Sequence, residues 1–191
     1  MAQNSFATLI TQDENGSPFA SHLPILHEPD PKPAGLLLGH VARANPQWRH
    51  FENQQQVLAI FHGPHAYVSP RWYSTSPAVP TWNYAVVHAY GIPKVFSDEE
   101  HLEAVVRRLV RFYEGDSENA WKGDLPGDFM RKQMKAIVGF EIQLTRLEGK
   151  FKLGQNRPKA DVQGAYAALN QSPRAEDQAL ARFMKDERLL D

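Results

Sequence analysis

Short β-rich runs parted by turn residues constrain this chain more than any other feature. Phe6 to Thr11 leads into Asp13-Glu14-Asn15-Gly16, where Asn-Gly favours the positive φ angles of a hairpin turn, and Pro18 to Leu26 reads as the return strand. The three prolines between His27 and Pro33 read as a loop. Gly35 to Val41 is a third strand, apolar without strict alternation and therefore buried on both faces. Val57 to Phe61 is a fourth, which Gly63-Pro64 is expected to stop, and Tyr67-Val68-Ser69 begins a fifth. A sixth runs from Trp82 through Gly91 to Phe96, and a last one from Ala136 to Thr145.

Helical signals are fewer and come mostly late. Asn45-Pro46 has the cap and first-turn chemistry of a helix start, predicting a helix through Phe51 to about Gln55. Ser97-Asp98-Glu99-Glu100 opens a longer helix whose apolar residues recur with helical spacing from Leu102 to Tyr113. A polar loop from Gly115 to Gly127 precedes a short helix from Phe129 to Lys135, and two closing helices span 161–169 and 175–184. Hairpin-linked strands with helices inserted late imply a mainly β, α+β chain built as a closed or nearly closed antiparallel barrel.

Composition removes several chemistries. There is no cysteine among the 191 residues, so disulfides, thiolate metal sites and cysteine nucleophiles are absent. A net charge of -1 gives no bulk attraction to nucleic acid, and the one helical basic cluster is Arg107, Arg108 and Arg111. The eight histidines are scattered without zinc spacing, so no metal centre is expected. No Gly-x-Ser-x-Gly elbow, Walker loop or Gly-rich dinucleotide fingerprint occurs. The N-terminus has no basic and apolar signal segment and no run reaches membrane-span length, which makes the cytoplasm the expected location.

Three stretches carry candidate binding chemistry. Between Tyr67 and Tyr84 lie two of the four tryptophans and three of the six tyrosines, beside Ser69, Trp72, Thr81, Trp82 and Asn83. Such rings with adjoining donors suit a flat conjugated ligand, although the same residues also pack well on sheets. Around His40, Arg43, Asn45 and Trp48 a strand feeds a helix start, where free N–H groups and a guanidinium suit a phosphate; a plain capped helix is the alternative. Lys150, Lys152, Gln155, Asn156 and Arg157 fall within eight residues and could bond a heteroaromatic edge, or form a solvated loop.

Longer motifs run through these stretches: Phe6-Ala-Thr-Leu-Ile-Thr, Ser21-His-Leu-Pro24, Gly39-His-Val-Ala-Arg-Ala-Asn-Pro-Gln-Trp48, Phe61-His-Gly-Pro-His-Ala-Tyr-Val-Ser-Pro70, Val79-Pro-Thr-Trp-Asn-Tyr84 and Glu148-Gly-Lys-Phe-Lys152. Over nearly the whole chain they resemble the PaiB-like proteins, described as FMN-binding negative transcriptional regulators. The resemblance implies a single FMN-binding split β-barrel domain over 1–191, with the barrel and inserted helices in 1–157 and a C-terminal helical segment in 158–191. It implies a homodimer with flavin at the subunit interface, the FMN phosphate near Arg43, and the aromatic stretch against the isoalloxazine or the dimer contact. By the same analogy the cofactor-binding set is His40, Arg43, Asn45, Trp48, Ser69, Trp72, Thr81, Trp82, Asn83, Lys152, Gln155 and Asn156. Relatives carry an extra segment before the first strand, so the resemblance implies a shortened N-terminus here, and Gly154 stands where a serine is expected. Within the resemblance the flavin is a sensing or structural ligand. An FMN-dependent oxidoreductase is the alternative, with no catalytic residue identifiable, and haem binding through His22, His40 or His88 is a further one.

Overall fold

The chain opens on a hairpin whose turn is shaped by one aspartate. In the computed structural model, which describes residues 1–29 and 35–187, β1 (Phe6–Gln12) and β2 (Pro18–Pro24) pair antiparallel with Leu9 opposite Ser21. Asp13 Oδ1 accepts the N–H groups of Asn15 and Ser17 at 2.8 Å each, and Gly16 supplies the positive φ of 77°. Asn15 keeps a negative φ, so this five-residue loop replaces the tight Asn-Gly turn that the dipeptide suggests. Ala7, Leu9 and Thr11 alternate into the core.

Two units make up the chain, Met1–Phe61 with His88–Glu148, and His62–Val87 with Gly149–Asp191. Among the described residues seven strands form one sheet, in the order β2-β1-β5-β6-β7-β4-β3. The remaining strands are β3 (Leu26–Glu28), β4 (Leu36–Ala42), β5 (Val57–Val68), β6 (Thr81–Phe96) and β7 (Ile137–Lys152). In the first unit, β2 and β3 lie at opposite ends of that order yet are separated in sequence by Ile25 alone. Ile25 is buried and donates its N–H to Ser5 O at 2.8 Å, so one chain segment pairs with β1 on one side and, through Leu26↔Leu38, with β4 on the other. Joining the two ends in this way leaves few unpaired edge groups.

The first unit's core depends on close approach. A Cβ at Gly39 would lie 2.6 Å from Phe140 Cζ, so only glycine lets that ring sit against β4, where it meets Phe51 edge-on at 5.5 Å. Helix α2 (Glu99–Glu114) is capped by Asp98, whose side chain accepts His101 N–H at 2.8 Å. Its Val105 and Leu109 pack with Leu26 and Leu38, and its Leu102 packs with Met130 and Met134 of α3 (Gly127–Lys135). The second unit is built on α4 (Lys159–Asn170) and α5 (Ala175–Asp186), whose Val162, Leu169, Leu180 and Met184 close over Ala66 and Leu153.

Several local expectations change. Gly63-Pro64 does not stop the fourth strand; β5 runs through it, because Gly63 is where Ala85 comes close, a Cβ there lying 3.0 Å from Ala85 Cβ. The two runs read as separate strands are therefore one. β6 and β7 each extend to 16 residues. His27 and Glu28 belong to β3 rather than to a loop, while residues 30–33 of that proline-rich segment lie outside the described residues. The helix expected to reach Gln55 is α1 (Gln47–His50), only 4 residues, followed by a 3-10 turn over Phe51–Asn53 that ends at Gln54 with φ 50°.

Candidate functional site

Alternation on the strands of the second unit sorts its side chains onto two faces. Ala66 and Val68 of β5 and Asn83 and Ala85 of β6 are buried, and Ala66 lies within the core that α4 and α5 complete. Trp82 and Tyr67 are instead exposed, at 44% and 43%. The His65 ring centroid lies 5.8 Å from that of Trp82, and the Tyr67 centroid 6.5 Å from it. At the end of β7, Lys150 Nζ lies 5.9 Å from the Tyr84 ring, and Lys152 Nζ donates to Thr81 Oγ1 at 2.6 Å. Outward rings can stack a flat ligand, and an ammonium can bond an electron-rich edge of one.

Elsewhere in the second unit the segment after Ser69 is pinned down. Ser69 is buried; its Oγ accepts Arg71 N–H at 3.3 Å and caps the 3-10 turn Pro70–Trp72. Trp72 packs against the core of the unit, and its carbonyl occupies the space that a Cβ at Gly164 would need. Asp161, fully buried at 0% exposure, accepts four hydrogen bonds, from the backbone N–H and hydroxyl of both Ser74 and Thr75. Burial pushes this carboxyl's pKa up, but the bonds from Thr75 and Ser74 outweigh it and hold the group below its ordinary value. The Arg157 guanidinium lies 3.8 Å from Asp161 Oδ2 and 4.4 Å from the Tyr73 ring centroid. Sequence reasoning missed Asp161; its one signal was an acidic residue in the first turn after Pro158.

Other members of the predicted set have local partners. Gln155 accepts Leu153 N–H at 2.9 Å and donates to Phe151 O at 2.7 Å, closing the turn after β7. Asn156 is exposed. Asn83 is 3% exposed, with Nδ2 4.0 Å from where a Cβ on Gly154 would stand. Gly154 has φ 86°, a conformation that glycine adopts far more readily than serine.

Four predicted residues, His40, Arg43, Asn45 and Trp48, belong to the first unit, and three of them, Arg43, Asn45 and Trp48, bond within the fold. Arg43 Nε donates to Lys135 O at 2.8 Å and Nη2 to Ile137 O at 2.9 Å. Trp48 Nε1 donates back to Arg43 O at 3.0 Å. Pro46, not Asn45, occupies the cap position, and Asn45 Oδ1 already accepts the Gln47 N–H at 2.9 Å while its Nδ2 bonds Ser21 Oγ. Gln47 is buried and ties this turn to the hairpin through Leu9 O and Thr11 Oγ1. A cavity of about 300 Å³ beside Arg43 is lined by Ser97, Lys135 and Glu99 among others, so it mixes both signs of charge. His40 Nδ1 is buried without a hydrogen-bond partner, and burial lowers the ring's pKa.

Two of the three arginines in the α2 cluster are ion-paired: Arg107 with Glu103 and Arg108 with Glu28. Among the described residues no group of three His, Asp or Glu could hold a metal ion, and no helix is long and apolar enough to cross a membrane.

Comparison with known proteins agrees with the barrel and with a flavin ligand. The chain is 37% identical over 186 residues, 96% of its length, to "Protease synthase and sporulation protein PAI 2" of Bacillus subtilis (strain 168), covering 87% of that protein. It is similar in structure to the flavocytochrome Anf3 of Azotobacter vinelandii (TM-score 0.60, 18% identity, 78% of this chain and 62% of that one). It is likewise similar to the FAD and heme binding protein of Mycobacterium smegmatis (TM-score 0.53, 15% identity, 79% and 68%). Its fold is the split barrel of flavin-binding proteins. Residues 1–146 match the family described as "Putative FMN-binding domain", and the chain belongs to that FMN-binding, PaiB-like family.

Proposed function

We propose that this protein holds FMN on the outward aromatic face of its second unit and serves as a regulator-type flavoprotein, with the flavin as a sensing or structural ligand. The observation that carries the reading is the exposed Trp82, flanked by His65 and Tyr67, with Lys152 of β7 bonded to Thr81, the residue before Trp82 in sequence. In this reading Trp82 and Tyr67 supply stacking area, and Lys152 and Thr81 supply donors to an electron-rich edge of the ligand. The segment from Ser69 to Thr75, tied to α4 through Asp161, keeps the second unit ordered, which reduces the entropy cost of binding on it. FMN, when bound, supplies a redox-active ring; the residues of this chain bind and orient it.

A regulatory role accords with the printed name of the Bacillus subtilis relative, which refers to protease synthase and sporulation. We also propose a homodimer, in which a second copy covers the exposed rings, a single functional domain over 1–191, and residence in the cytoplasm. With two of the three α2 arginines already paired, any transcriptional effect is indirect rather than through that helix.

The test is the visible absorption spectrum of the purified protein before and after addition of FMN and desalting, followed by an FMN titration of Trp82→Leu. A retained flavin band, with the variant's Kd raised about two- to tenfold, is expected. Retained flavin with unchanged affinity in Trp82→Leu moves the ring off this face. A Soret band in place of a flavin band overturns the FMN reading, and anaerobic bleaching by NADH or NADPH converts the regulator into an oxidoreductase.

A further inference from the structure

The three arginines of α2 meet different fates. Arg107 lies 2.7 Å from Glu103 and Arg108 is paired with Glu28, whereas Arg111 makes no ion pair among the described residues. Arg111 stands at the edge of a cavity of about 270 Å³ that belongs wholly to the first unit. Ile25 and Leu26, both buried, form its apolar floor, and the exposed Phe112 forms one wall. Ser5, whose Oγ lies 2.6 Å from Tyr113 OH, adds a polar edge. Because Glu28 pairs with Arg108, Arg111 is the arginine left to act on a ligand among the described side chains of the lining, to which the N-terminal Met1 also belongs.

We propose that this cavity binds a small amphipathic carboxylate, with its anionic head on the Arg111 guanidinium and its apolar body over Ile25, Leu26 and Phe112. A planar guanidinium without a protein acid is matched in geometry and charge by one carboxylate. An uncharged apolar ligand would bury the guanidinium without a partner, and among the described side chains lining the cavity a polyanion would find a single arginine outside an ion pair where it needs several. At about 270 Å³ the cavity has room for a single aromatic or short branched acid and not for a polycyclic or nucleotide-sized ligand. The site is independent of the flavin face and does not rest on the flavin assignment.

Calorimetric titration of the FMN-saturated protein with sodium benzoate tests the proposal. Saturable one-to-one binding with a Kd of roughly 0.1–1 mM is expected for a ligand this small. Benzamide, which has the same shape without the charge, should bind at least tenfold more weakly. Arg111→Lys keeps a cation in the last turn of the helix but loses the fork, and should weaken benzoate several-fold; Arg111→Gln should weaken it tenfold or more. Phe112→Ala should also weaken it several-fold, while Arg107→Gln should match the parent within twofold. Absence of saturable binding overturns the proposal, as does equal affinity in parent and Arg111→Gln. Sensitivity to Arg111 without sensitivity to Phe112 overturns it too, because it moves the anion to the polar cavity that Arg111 shares with Glu114 and Lys122. Competition between benzoate and FMN would place the acid at the flavin and equally end the assignment.

Discussion

The turn after β4 and the outward face of the second unit carry similar residue types, an arginine or lysine, a tryptophan and an asparagine or threonine, and use them in opposite ways. Arg43, Asn45 and Trp48 direct their donors to backbone carbonyls and to Ser21. Trp82 and Tyr67 leave large ring areas open, and Lys152 is held by a neighbouring hydroxyl rather than by an acid. A donor already bonded within the fold must break that bond before it can serve a ligand, so the second region is better prepared to bind.

The largest effect is expected where the second region is fastened. Asp161→Asn removes two acceptor lone-pair sites and the charge from a group that serves four donors. Its melting temperature should fall by roughly 5 °C or more. Amide hydrogen exchange at Ser74 and Thr75 should accelerate, and FMN affinity should drop with it. Unchanged protection at those two amides would show that Trp72 and Gly164 alone hold the segment.

Next comes Arg43→Ala, which leaves the carbonyls of Lys135 and Ile137 to water. Two exposed charge-assisted bonds are lost, and the denaturant midpoint should report a loss of about 1 kcal/mol. FMN affinity, measured well below the melting transition, should stay within about threefold. If affinity collapses while stability holds, the phosphate belongs at Arg43 and the contrast between the two regions reverses.

Lys152→Met gives the complementary result. The side chain is exposed, so stability should shift by no more than about 0.5 kcal/mol. The FMN Kd should rise roughly tenfold, as expected when a charge-assisted donor is removed. An effect confined to stability would make the Lys152–Thr81 bond a strand clamp and nothing more.

These contrasts also explain which features the chain announces. The hairpin of β1 and β2, the Asp98 cap of α2 and the two closing helices rest on signals only a few residues long, and each is legible. Strand length is not: Gly63-Pro64 looks like a stop until β6 is beside it, when Gly63 proves to be the point of close approach to Ala85. The fate of Arg43 is set by carbonyls 92 and 94 positions away, and that of Asp161 by Ser74 and Thr75, 87 and 86 positions away. Residue type reveals that a donor or acceptor exists; only the fold reveals whether it is spent. Gln155, whose partners lie two and four residues away, is the exception that local reasoning could have identified as a turn lock.

The smallest effect separates the two regions by pH. His40 lies on β4 opposite Gly139, and by strand alternation it shares the face of Leu36 and Leu38 that packs against α2. Burial holds its pKa below the ordinary 6.5 and leaves Nδ1 without a partner. As pH falls below that value the unfolded chain takes up the proton first, so the folded state loses stability until the buried ring itself titrates. Asp161 works in the other sense. Its depressed pKa contributes stability that is fully present above the ordinary 3.8 and is lost only as pH falls through the lower folded value. Between pH 7.5 and 5.5, therefore, urea midpoints should decline in the parent and decline less in His40→Gln, while Asp161→Asn should lower the midpoint by the same amount at every pH in that range. Equal slopes in the parent and His40→Gln would mean that the ring is hydrated in solution. A pH-dependent deficit in Asp161→Asn would mean that the carboxyl titrates inside the window, and the latch on the aromatic segment would then be the acid-sensitive element instead of the β4 histidine.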